Sequence, residues 1–394
     1  MRTILILALT SFVHAADVLH ILSTGQSLAT GAYATPILSS SQPYNNIMLS
    51  PGVEGASGPL LALIENGTGQ NGSVETPSSG IANTLRALDP LGRAVIVGLH
   101  GYDGLRYVDL AKGTPRYQLG MTQASMTKSL VESMGNTYRP IAVTAYHGES
   151  DGCAIGPPIT PPAQYTADLV QWQSDYEADL NALTGTVNTI PLYINQMNTC
   201  DGNIPVSQLA AHMQDRGRVI LVGPKYQYVY DSDATHITNL STRYSAELMG
   251  KVIKKVFIDH QIWNPLMPEQ VSRAGSLVTI TFNVPVEPLV VDTALLAANA
   301  NYGFDFVQTG GNVVSVSSVT IVGSRQIQIQ LSDVPTGQSQ SIRYAWGRKG
   351  NIRDSDASVS PAKDSTGLPL YNWCVTFDQP IVGQQARPAI PQKK

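Results

Sequence analysis

The pattern that most constrains this chain is an alternation that runs through its first 260 residues and then stops. Short apolar runs at residues 18–22, 94–99, 141–146, 191–195 and 219–222 are separated by helical periodicity at about 79–88, 117–133, 165–183, 206–214 and 239–258. Parallel strands need a long crossover, usually a helix, to return to the same end of a sheet. The alternation therefore predicts βαβ units and an α/β fold, a parallel sheet covered by helices on both faces. Ligands of such sheets bind beyond the carboxyl ends of the strands. Chemistry is sought in the residues that follow each run.

After residue 259 the helical period disappears. Residues 278–284, 313–322, 326–331 and 341–346 are rich in β-branched side chains and are separated by turn residues, which predicts an all-β, sandwich-like part over residues 261–382. The segment 263–268, with Pro265 and Pro268, reads as a linker, and the tail 383–394 reads as flexible. At the other end, Arg2, an apolar run over 4–13 and the small residues Ala15 and Ala16 predict a signal peptide over residues 1–16. That run is too short to span a bilayer, which takes about 20 residues. The α/β domain is then 17–260, and the expected location is secreted or periplasmic. Only 14% of residues are charged, the net charge is −4 and no basic stripe exists. Neither nucleic acid nor membrane is an expected partner.

Export permits disulfides. Cys153 and Cys200 each follow a predicted strand by a few residues, and strand ends on one sheet edge lie close together, so a bridge between them is compatible with the fold. Cys374 would then be a single buried thiol. No cysteine or histidine spacing matches a structural zinc site, and no metal or cofactor is expected.

Ser27 follows the first strand directly, behind Gly25. A glycine there permits a tight turn that exposes the hydroxyl, although a serine after a strand often only caps a helix. A base is needed, and among the seven histidines His236 stands out. It lies just before the last helix of the alternation, three residues after Asp233. On a turn leading into a helix this spacing puts both side chains on one side. Asp233 can then orient the imidazole and leave Nε2 free for the serine proton. Two further segments, Gly101 to Gly104 and Ala145 to Asp151, also fall at strand ends of the same sheet.

Taken together, Gly25-Gln26-Ser27, Asp103-Gly104-Leu105, His147-Gly148-Glu149-Ser150 and Asp233-Ala234-Thr235-His236 resemble the motifs of the SGNH-hydrolase superfamily, in particular its sialate O-acetylesterase and carbohydrate acetylesterase branch. The resemblance covers about 240 residues in order and spacing. It implies a three-layer, flavodoxin-like sheet with Ser27 as nucleophile, His236 as general base and acid, and Asp233 as its orienter. The Ser27 and Gly104 backbone N–H groups would form an oxyanion hole, each such donor being worth roughly 3 kcal/mol. His147 stands where the branch has an amide aimed at the oxyanion, so its ring is expected to take that place or leave the hole to the backbone. Gln26, Glu149 and Gln196 are further candidates to line the site; for Glu149 and Gln196 a loop-bracing role competes.

The expected function is a serine esterase that removes small acyl groups, acetyl above all, from carbohydrate. The alternatives are a lipid or aryl esterase of the same fold, a carbohydrate-binding protein with a degenerate site, and a glycosidase built on Glu149 and Asp151. No G-x-S-x-G elbow is present. The G-x-G-x-x-G match at 67–72 lies in a polar stretch and reads as a surface loop rather than a dinucleotide site. Asn66, Asn71 and Asn239 satisfy the glycosylation sequon.

Overall fold

The computed structural model describes residues 15–153, 159–198 and 202–383. The expected signal peptide, apart from its last two residues, and the tail beyond 383 lie outside them.

One sheet of seven strands organises the first part of the chain. Its members are β1 (Asp17–Gly25), β2 (Ile47–Ser50), β3 (Ser57–Ala62), β4 (Val95–Leu99), β5 (Thr137–Tyr146), β6 (Leu192–Gln196) and β7 (Val219–Pro224). The spatial order is β3-β2-β4-β1-β5-β6-β7. The strands expected from the apolar runs are all present and mutually parallel. The sheet is nevertheless mixed: β3 runs antiparallel to β2, whose only partner in the parallel set is β4. The sequence gives little sign of this edge pair, because β3 is solvent-exposed and interrupted by Pro59. An edge strand needs neither a continuous apolar run nor every backbone donor.

Helices cover both faces. α1 (Pro77–Leu88) and α7 (Asn239–Ile253) bury Ile81, Leu85, Ala246, Met249 and Val252 against Leu19, Ile21, Val97 and Ile220. On the other face α3 (Pro115–Ser133), α5 (Pro162–Thr184) and α6 (Asn203–Gln214) bury Ala124, Leu169, Trp172, Tyr176 and Ile204 against Leu22, Val143, Ile194 and Leu221. The short helices α2 (Tyr107–Leu110) and α4 (Glu149–Gly152) lie in the connections after β4 and β5. α7 starts at Thr238, whose side chain accepts a hydrogen bond from the Ser241 N–H, an N-cap that sits two residues after His236.

The later part is all β, in three sheets. Strands β8 (Met267–Ala274), β9 (Leu277–Asn283), β12 (Val316–Val322), β13 (Gln326–Leu331) and β17 (Val382–Gly383) form one, in the order β12-β13-β9-β8-β17. Strands β11 (Phe304–Thr309), β14 (Gln338–Tyr344) and β16 (Phe377–Pro380) form the second, and β10 (Val290–Val291) pairs with β15 (Ile352–Arg353). Phe282 of the first sheet meets Phe377, which also meets Phe304 and Tyr344 of the second. Two details differ from the sequence reading. Met267 and Pro268, expected in a linker, begin β8, and Gly383, expected in the tail, pairs with Arg273. The linker composition misled because Pro268 stands near the start of a strand, a position proline tolerates.

The β part is not tethered loosely. Its core residues Val278, Ile280, Phe282 and Ile329 belong to the same buried cluster as Trp172 and Leu221 of the α/β part. The chain between β15 and β16, residues 354–376, returns across α1 and α7. Among the described residues no helix is long and apolar enough to cross a membrane.

Candidate active site

The carboxyl ends of β1, β4 and β5 are drawn together by backbone hydrogen bonds. Gln26 N–H donates to Tyr146 O at 3.1 Å, and Tyr102 N–H to Gly25 O at 3.0 Å. Gly25 makes this approach possible: its φ is +126°, and a Cβ there would lie 2.3 Å from Tyr146 O. Ser27 is the second residue past that glycine.

From the far side of the sheet comes the turn between β7 and α7. It closes through Asp231 N–H to His236 O at 2.7 Å and Ala234 N–H to Asp231 O at 3.0 Å, with Ala234 at φ 57°. One carboxylate oxygen of Asp233 accepts the Thr235 and His236 backbone N–H groups, each at 2.9 Å. The other accepts His236 Nδ1–H at 2.5 Å. His236 Nε2 is then the acceptor for the Ser27 hydroxyl at 2.7 Å. Partial burial alone would raise the Asp233 carboxyl, but the His236 ring and the two backbone donors win and hold it below the usual carboxylate value. The structure thus brings Ser27, His236 and Asp233 into one hydrogen-bonded chain across 209 residues of sequence.

They line a cleft of about 820 Å³ together with Gln26, Gly104 and Glu149. Neither the Ser27 nor the Gly104 backbone N–H has a protein acceptor among the described residues. Gly104 adopts φ +71° with open space where a side chain would stand. Gln26 also braces the neighbouring turn, its Oε1 accepting Ser150 N–H at 3.0 Å and Gly148 N–H at 3.4 Å.

Two expected members are elsewhere. His147 is buried behind the cleft rather than lining it, so an oxyanion contact from its ring is corrected. Its Nδ1 pairs with the Tyr165 hydroxyl at 2.8 Å, and the ring packs on Tyr165 and edge-on against Trp172. Burial pushes its basicity down, opposed by nearby Asp151 and Glu149. Alternation along the end of β5 turns position 147 into the α5 side, where an imidazole fits between aromatic rings. Gln196 does not line the cleft either. Its Nε2 donates to Pro205 O and Thr376 O, and its Oε1 accepts Thr376 N–H, so it ties β6 to the β part.

The carboxylates considered for glycosidase chemistry are both committed. Glu149 forms a buried ion pair with Lys225. Asp151, also buried, accepts Tyr107 N–H at 2.9 Å and the Thr160 hydroxyl at 2.6 Å and faces Arg106 Nε at 3.6 Å. Cys153 is disulfide-bonded and lines the cleft, Cys374 is a free buried thiol, and Cys200 lies outside the described residues.

Other cleft residues carry no signal in the sequence. Tyr33, at φ 67°, lays its ring flat on His236, with centroids 4.7 Å apart and planes 16° apart. The 67–72 loop, read as mere surface, forms a wall: Asn71 Nδ2 donates to Thr30 Oγ1 at 2.9 Å and to Asp103 Oδ1 at 3.2 Å, and Gln70 Nε2 reaches the same Asp103 oxygen. Arg106, Asp109, Ser150, Asp231 and Thr235 complete much of the rim. A loop that returns to a site from the opposite sheet edge leaves no periodicity to read.

No protein-family model matches this sequence, and no curated protein matches it. Among solved structures, a carbohydrate acetylesterase from Xanthomonas citri superposes with a TM-score of 0.57 at 14% identity, over 91% of this chain and 80% of that one. A protein from Arabidopsis thaliana gives a TM-score of 0.47 at 15% identity, over 61% of this chain and 99% of that one, and NanS gives 0.45 at 14%, over 62% and 99%. The first likeness spans both parts of the chain and establishes the fold, a helix-covered, largely parallel α/β unit followed by an all-β part.

Proposed function

We propose that the chain is a serine esterase that removes short acyl groups, acetyl in the first place, from carbohydrate. The observation that carries this reading is the chain Asp233–His236–Ser27, with contacts of 2.5 and 2.7 Å at the carboxyl ends of the sheet. A carboxylate on Nδ1 fixes the imidazole tautomer and leaves Nε2 to take the serine proton. Ser27 Oγ attacks the ester carbonyl, and the negative oxygen forms between the Ser27 and Gly104 N–H groups. His236 passes the proton to the leaving sugar hydroxyl, and a water that it then deprotonates releases the acid from the acyl-enzyme. Donors that are already in place stabilise the developing charge without reorganisation.

The sugar assignment is supported by the motif resemblance and by a cleft whose walls offer hydroxyls, amides and carboxylates. Residues 1–16 are proposed as an export signal, which would bring the enzyme to extracellular or periplasmic glycans.

The test is acetate release from acetylated glycans and from p-nitrophenyl esters of increasing chain length. Wild type should favour acetate over longer acyl groups. Ser27→Ala should lower kcat by roughly 10³-fold or more while leaving fold and thermal stability intact. A Ser27→Ala variant that turns over at the wild-type rate would sink this mechanism.

A further inference from the structure

We propose, building on the esterase reading, that the cleft selects its substrate by charge: neutral or amine-bearing sugar esters are accepted, and esters of acidic sugars such as uronic and sialic acids are disfavoured. The argument rests on the ionisable groups around Ser27. Arg106 is the only lysine or arginine among the described lining residues. Its side chain is already engaged, with Nε 3.6 Å from Asp151 Oδ1 and Nη2 donating to Thr160 Oγ1 at 2.5 Å. Lys225, behind the cleft-lining Glu149, is fully buried and paired with it. His236 offers no cation in the resting site, its Nε2 accepting the Ser27 hydroxyl and its Nδ1–H held by Asp233.

Against these balanced pairs stand Asp103, Asp109 and Asp231, all lining the cleft and none in an ion pair among the described residues. Each spends one oxygen on local structure. Asp103 Oδ1 accepts from Thr30, Gln70 and Asn71. Asp109 Oδ2 accepts the Arg106 backbone N–H, and Asp231 Oδ1 accepts the Ser232 N–H and hydroxyl. The second oxygen of each has no protein partner among the described residues. Three carboxylates, each with a free oxygen, therefore line the cleft, and their summed field opposes a like charge brought to Ser27. An acidic sugar finds no unpaired cation to receive its carboxylate. A neutral sugar finds acceptors for its hydroxyls, and an ammonium group finds a favourable field.

The experiment compares two substrates that differ only in charge, methyl 2-O-acetyl-glucuronoside and its methyl ester. At low ionic strength the neutral ester should show a kcat/KM about tenfold higher. The gap should shrink in 0.5 M salt, where the screening length falls to a few ångströms. It should also narrow in an Asp109→Asn, Asp231→Asn double variant, whose amide oxygens can keep the local hydrogen bonds. Equal kcat/KM for the two substrates, or a gap that ignores both salt and the double variant, overturns the charge selection. Absence of Ser27-dependent release from the neutral ester as well would overturn the esterase reading itself, a result distinct from the first.

Discussion

Tyr33 shows how much a single residue can be asked to do. A bulky side chain at φ 67° pays a local conformational cost, which persists only where the surroundings demand it. The demand here is the ring of His236, on which Tyr33 lies nearly parallel. Asp233 fixes the imidazole through one edge, and Tyr33 limits its tilt across the face. Tyr33 is in this sense a positioning residue. Tyr33→Ala should lower kcat about three- to tenfold with little change in KM, and Tyr33→Phe, which keeps the ring, should restore most of the loss. Steady-state kinetics of the two variants on p-nitrophenyl acetate decides this. Loss in KM alone would mean that the ring serves the substrate and not the imidazole.

At the scale of elements, the site depends on how closely strand ends can approach. β1 lies between β4 and β5, and its last residue, Gly25, is paired with Tyr146. Any Cβ at position 25 would collide with backbone, which cannot move aside as a flexible side chain can. Gly25→Ala should therefore push β1 from β5, displace Ser27 from His236, and cost about 2–4 kcal/mol of stability. Urea denaturation with activity measured in parallel checks both parts. A stable variant with full activity would show that the close approach is dispensable.

The whole molecule is held by a buried polar network beneath the site. Glu75 accepts the Leu38 and Ser39 N–H groups of the segment that follows Tyr33 and pairs with Arg243 of α7 at 3.0 Å. Arg243 pairs in turn with Asp364 of the returning segment at 2.9 Å. Glu65 lies beside this group, buried, accepting from Thr76 and Ser79. Desolvation first, and the Glu75 charge second, push its carboxyl up to about 8. Unfolded, a glutamate loses its proton near ~4.3. Between these values the folded chain binds more protons than the unfolded one, so stability falls as pH rises from about 4.5 to about 8 and the loss is complete above. Glu65→Gln removes this proton linkage. Its Tm relative to wild type should improve as pH is raised from 5 to 9, by roughly 3 °C or more. A Tm difference that does not vary with pH would refute the linkage.

Local pattern was enough for the parts that local physics dictates. Apolar runs bounded by turns placed the five mutually parallel strands, because burial on both faces makes them largely apolar, with polar residues gathered mainly toward their carboxyl ends. The loss of helical period marked where the fold becomes all β. The three-residue step from Asp233 to His236 put a carboxylate and an imidazole on one side of a turn, and the structure joins them by a hydrogen bond. What long-range packing decides stayed hidden. The edge pair β2–β3 is stabilised by its neighbour and not by its own composition. His147 reads as an active-site donor until its ring is found between Tyr165 and Trp172. Gln196 reads as a cleft residue until Thr376, distant in sequence, claims its amide. Tyr33, Asn71 and the carboxylates that set the charge of the cleft arrive on loops whose course depends on every contact beneath them. The sequence by itself determined which strands form and which residues stand at their ends; only the tertiary structure decided which of those side chains face the cleft, because that is a matter of what each one packs against.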